Sequence, residues 1–155
     1  MKIIVKQSKK LNLPSWRKKQ FFLERNNIAL LAATLFASLL GTYLDLIFVE
    51  CRFYAFPKRL FPKIFSINIL FTLVILPIIT ASFLIVMHKI RPFVRPILLC
   101  LIGILACIFE QAAERAGVFI HSSDWNHFYS FFGYILFFII IWRFYSILVN
   151  SPQNN

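Results

Sequence analysis

Glycine and acid are both scarce in this chain. Four glycines in 155 residues leave no glycine-rich loop to cradle a phosphate, and neither a P-loop, a dinucleotide-binding pattern, a kinase set nor a haem motif occurs. There is no G-x-S-x-G elbow. Ser122 and Ser123 adjoin His121 and Asp124, but neighbours in sequence rarely reach triad geometry. Three cysteines make no disulfide framework. Cys100 and Cys107, seven apart within an apolar run, read as small packing residues rather than as redox or metal groups. Six acidic residues stand against seventeen Lys and Arg, a formal net charge of +11. Such a charge suits nucleic acid, yet no reader motif accompanies it. Eight of the seventeen basic residues instead fall within the first 25 positions, just ahead of an apolar run. There, Lys9, Lys10, Arg17, Lys18 and Lys19 suit anionic lipid headgroups.

What the chain has in excess is apolar side chain. Hydrophobic residues make up 59% of it, with nineteen Phe, more than a soluble domain of this length can hide. The expected fold is all-α: a bundle of four transmembrane helices over about residues 28–49, 65–87, 96–116 and 128–149. A run of some 22 residues reaches roughly 33 Å, enough for the hydrocarbon layer. Residues 1–27 form a basic juxtamembrane segment and 151–155 a polar tail. Pro14 and Ser15 can open an interfacial amphipathic helix, the alternative being a disordered basic tail. The first span is too long for a signal-peptide core and lacks a cleavage site, so it reads as an uncleaved anchor. Four spans place both termini on one side. That side gathers the basic tail with Lys89, Arg91 and Arg95, so the positive-inside rule places both termini in the cytoplasm.

The polar residues fall in a pattern. Thr34, Ser38, Gly41, Thr42 and Asp45 recur at helical steps along the first span, a stripe suited to close helix contact. Pro77 lies inside the second span, where it should kink the helix and free the carbonyl four residues earlier. Residues 50–64 mix Phe53, Tyr54, Phe56 and Phe61 with Arg52, Lys58, Arg59 and Lys63, as a loop at headgroup level would. Asp45, Glu50, Glu110, Glu114 and Asp124 all fall at the outer ends of spans or in the outer connections. Glu110 and Glu114 are one turn apart; Gly103, Ala106 and Cys107 continue their face, and the stripe ending in Asp45 is its expected neighbour.

Three readings of that layer are open. Its carboxylates can pair with Arg or Lys, Arg115 among them, and so fix the register of a structural or accessory protein. They can bind a cation, proton or small polar solute in a transporter or channel component, at Asp45, Glu110 and Glu114 with Glu50, Asn68 and Arg115 nearby. A membrane enzyme acting at the outer surface is the third. His121, Asp124, Trp125 and His127 form a second line around the site. The histidines match no compact ligand spacing and read as interfacial side chains, so neither a metal nor a cofactor is expected. The doubled glutamate and helix-borne histidines of intramembrane prenyl-protein proteases are missing. The non-enzymatic reading leads. The expected partners are the lipid bilayer, its anionic headgroups, and a second copy or another membrane protein, with no nucleic acid.

The runs Gly41-Thr42-Tyr43-Leu44-Asp45, Tyr54-Ala55-Phe56-Pro57 and Phe65 to Thr72, with Trp125-Asn126 before the last span, resemble an uncharacterised family of small polytopic membrane proteins of Bacillus-type spore-forming bacteria. The resemblance covers about residues 28–150. It implies a four- or five-span bundle in the bacterial plasma (inner) membrane and carries no activity.

Overall fold

Each apolar run becomes a helix in the computed structural model, which describes residues 15–123 and 125–151, with side chains from Asn26 onward. The helices are α1 (Ser15–Glu50), α2 (Leu76–Lys89), α3 (Arg95–Arg115) and α4 (His127–Asn150). Together with the helical turns leading into α2 and α3, all four are long and apolar enough to cross a membrane. The chain is an all-α, multi-pass membrane protein. Ile28, Leu31, Leu35 and Leu39 form an exposed stripe on α1, and Gly103 is the one buried residue of α3. In a bilayer, acyl chains cover such faces at no cost.

α4 lies between α1 and α3, and α2 packs on α1 and α4. On α1, Ala29, Ala33 and Ala37 are buried beside Thr34 and Ser38. These small side chains let α1 approach Phe83, Leu84 and Met87 of α2 and Phe138 and Ile141 of α4 in one core. The expected pairing of the Glu110 face with the α1 stripe is corrected here. Gly103 faces α4, where an added Cβ would stand 2.8 Å from the Phe131 ring. Helices joined by a short connection pair first, and α3 is joined to α4 by residues 116–126. At the far end, the Arg95 guanidinium lies 4.9 Å from the centre of the Trp142 ring.

α1 has 36 residues and shows no break at residue 27. Neither glycine nor proline occurs between Ser15 and Leu40 to stop it. Lys9 and Lys10, and the side chains of Arg17, Lys18 and Lys19, lie outside the described residues.

The second span starts later than hydropathy suggests. Ile67 is buried beneath the loop, and the Asn68 side chain accepts the Phe71 N–H at 3.4 Å. Asn68 therefore acts as a helix cap. Residues Phe71–Ile75 then form a π-helical turn, with the Leu76 N–H bonded to Phe71 O. In that register the next donor would be residue 77, and its acceptor Thr72 O. Pro77 has no N–H to give. Ser38 Oγ on α1 donates to Thr72 O instead, at 2.7 Å. Proline thus widens the helix, and the carbonyl it strands is five residues back rather than four.

The helices α1 and α3 end alike. Past α1, Arg52 N–H donates to Val49 O and Phe53 N–H to Phe48 O; past α3, Gly117 N–H donates to Glu114 O and Val118 N–H to Ala113 O. Both are Schellman turns, with φ of +60° at Arg52 and +66° at Gly117. Each delivers a short strand: β1 (Tyr54–Ala55) and β2 (Ile120–His121) pair antiparallel, Tyr54 opposite His121. Hydropathy gives no hint of this ribbon. The two turns make opposite expectations. Arg52→Gly relieves a left-handed side-chain conformation and should raise unfolding stability by about 1 kcal/mol, while Gly117→Ala should lower it by a similar amount. Denaturant unfolding in detergent reads both; shifts of the same sign would contradict the assignment.

Candidate functional site

The ribbon ties the two loop-end connections together, and aromatic packing holds it on the bundle. Phe56, Ile67 and Phe119 form a small core of their own, with Tyr54 and Ala113 against it. The Tyr54 ring also lies 5.6 Å from that of Trp125 and 5.8 Å from that of Phe48. Tyr54 and Phe56 therefore turn inward rather than into headgroups. Two basic residues of this connection, Lys58 and Arg59, are held by backbone. Arg59 donates to the carbonyls of Phe56, Pro62 and Phe65, and Lys58 to Ala116 O.

The Schellman turn at Gly117 folds the chain back along the last turn of α3, so β2 brings His121 to Glu114. His121 Nε2 is 3.1 Å from Glu114 Oε1. α4 begins beside it, its first turn capped by the Asn126 side chain accepting the Phe128 N–H at 2.9 Å. That places His127 Nε2 3.5 Å from Glu114 Oε2 and His127 Nδ1 3.4 Å from Glu110 Oε2. One donor atom each from Glu114, His121 and His127 lies within 4.8 Å of the others, close enough to hold a metal ion. The two rings stand nearly perpendicular, 5.0 Å apart.

The expectation of carboxylates paired with Arg or Lys is corrected by this arrangement. Among the described residues, every close contact between an acidic and a basic side chain joins a glutamate to a histidine. Arg115 and Glu50 are exposed and outside the cluster. Asp124 lies outside the described residues. The Trp125 Nε1–H donates to Ser130 Oγ at 3.2 Å rather than to a carboxylate. His121 and His127, expected only in a second line, meet Glu114 directly.

Beneath the cluster, α1 and α4 border a half-open cavity of about 500 Å³. Leu40, Leu44, Leu76, Phe137 and Ile140 line its body; Asp45, Tyr54, Glu110 and Ser130 also line it. Asp45 and Glu110 thus face one space from different helices. The Tyr54 hydroxyl donates to Asp45 Oδ1 at 2.6 Å. Burial, then the Asp45 carboxylate, pushes the Tyr54 phenol above its ordinary range, so it remains a donor. Asp45 Oδ2 is buried without a partner among the described residues. Tyr54 and Ser130 were not singled out from sequence as site residues. A tyrosine nine residues past Asp45 and beyond the helix end carries no periodic signal, since only the turn at Arg52 brings it back. Comparison with protein families, curated proteins and solved structures finds no match to this chain.

Proposed function

We propose that this integral membrane protein is a non-enzymatic binding protein, and that its cavity takes an amphiphile with an amine head and an apolar chain. The observation that carries this reading is a pair of carboxylates, Asp45 and Glu110, that line one mostly apolar cavity from different helices, with Asp45 Oδ2 buried and without a donor among the described residues. A lone carboxylate oxygen in that setting is costly unless a cation or donor reaches it. Glu110 supplies a second carboxylate to the same space. An ammonium between Asp45 and Glu110 would satisfy both, while its chain lies against Leu40, Leu44, Phe137 and Ile140. A volume of about 500 Å³ falls within the usual range for small-molecule pockets. The positive-inside rule supports cytoplasmic termini, which puts the ribbon and cluster on the outer side. The resemblance to small bacterial membrane proteins supports the plasma membrane as the location.

Thermal unfolding of the purified chain in detergent tests the reading, with dodecylamine and dodecanoate as probes. Dodecylamine should raise the Tm by several degrees and dodecanoate should not. The amine-induced shift should vanish in Asp45→Asn/Glu110→Gln. An equal response to both probes, or a shift that survives the double substitution, would reject it.

A further inference from the structure

The cluster at the loop end sets more acceptors around its two imidazoles than neutral rings have protons to give, and a metal ion would resolve that shortage. A neutral imidazole carries one ring proton. His121 Nδ1 lies 3.0 Å from Ser122 O, a carbonyl that only accepts, which in a neutral ring favours the proton on Nδ1. His127 Nδ1 faces Glu110 Oε2 at 3.4 Å, and an ionised carboxylate also only accepts. Both Nε2 atoms are then left with bare lone pairs. Both point at the same carboxylate, His121 Nε2 towards Glu114 Oε1 and His127 Nε2 towards Glu114 Oε2. Lone pairs facing carboxylate oxygens repel unless positive charge lies between them.

We propose that Glu114, His121 and His127 bind a divalent first-row transition metal, zinc foremost, and that Glu110 positions His127 for it. Zinc bonds of 2.0–2.1 Å to nitrogen and oxygen set neighbouring ligand atoms about 3.3 Å apart on a tetrahedron. Here each imidazole approaches its own Glu114 oxygen, at 3.1 and 3.5 Å, and one donor atom from each of the three residues lies within 4.8 Å of the others, so that small side-chain shifts would close them on an ion. Two histidines and a glutamate are a donor set that zinc takes with its fourth position open. The outer contacts fit as well, because ligating imidazoles usually donate their other N–H to a carboxylate or a backbone carbonyl. Here Glu110 and Ser122 O are those acceptors. Glu114 also sits in the last turn of α3, where the helix dipole favours a cation. Side-chain exposures of 26–28% for the three donors leave the site reachable from water. The inference does not depend on what occupies the cavity.

Calorimetric titration of ZnCl₂ into the full chain in detergent tests it, with Cys51, Cys100 and Cys107 replaced by serine and the protein first stripped by EDTA. One zinc should bind per chain, and MgCl₂ should give no binding. His121→Ala and His127→Ala should each weaken zinc on the order of 100-fold or more; Glu110→Gln should weaken it by about 10- to 100-fold and keep the one-to-one ratio. Co²⁺ added to the same cysteine-free chain should give the visible absorption of a tetrahedral site, a readout that does not rely on any cluster variant folding. Absence of zinc binding, or zinc binding unchanged in His121→Ala/His127→Ala, would overturn the proposal. So would stability that responds to pH alone and not to zinc, which would place a second proton on each ring instead.

Discussion

Gly41→Leu should be among the most damaging single substitutions in the bundle, lowering unfolding stability by about 3 kcal/mol. A side chain at Gly41 would collide with Leu76, which is itself 4% exposed and packed into the core. α1 and α2 would have to separate at the level of the π turn. That movement would also stretch the bond from Ser38 to Thr72 O, only one turn along α1. Space is the test of cause. Leu76→Ala alone should cost about 2–5 kcal/mol for the void it leaves. Combined with Gly41→Leu, the loss should fall well below the sum, because one change fills what the other empties. Additive losses, measured by reversible unfolding in detergent, would mean that Gly41 is not placed against Leu76.

Ser38→Ala should cost about 1–3 kcal/mol, more than the usual loss of an exposed hydroxyl, because it leaves Thr72 O buried and unbonded. The penalty depends on Pro77. With Pro77→Ala the chain regains an N–H that can serve the carbonyls of this turn, directly or by letting the helix return to the α register. Ser38→Ala should then cost little in the Pro77→Ala background. The same loss in both backgrounds would separate Ser38 from the proline defect. Thr34 makes a useful contrast. It lies one turn before Ser38, but its hydroxyl donates to Leu31 O of its own helix. Thr34→Ala should therefore show no coupling to Pro77.

These two sites also mark how much of the fold was legible. Four apolar runs gave the helices, because length and hydropathy alone decide whether a segment suits lipid. The stripe from Thr34 to Asp45 was legible as a close-packing face, since small residues at helical spacing have few other uses in a membrane. The π turn was not legible, because hydropathy is blind to backbone register. For the site, Glu110 and Glu114 stood out as acids one turn apart, and Asp45 does share a cavity with Glu110. Their partners did not stand out. His121 reaches Glu114 only because Gly117 reverses the chain and two residues of β2 pair with β1, and strands that short leave no alternation to read. The metal-type donor set escaped the spacing rules for the same reason: its residues come from a helix end, a strand and a helix start.

Everything proposed for the loop end depends on the two connections pairing there. Oxidative cross-linking of Ala55→Cys/Ile120→Cys, with Cys51, Cys100 and Cys107 replaced by serine, tests this most directly. Ala55 and Ile120 are register partners in the ribbon, and Cα atoms directly opposite in an antiparallel pair lie about 4.5–5.5 Å apart, within disulfide reach. In native membranes, mild oxidation should join the two cysteines within one chain, and Ala55→Cys/Ser151→Cys should stay open. Two free thiols at 55 and 120 after oxidation, or a bridge between 55 and 151, would contradict the arrangement.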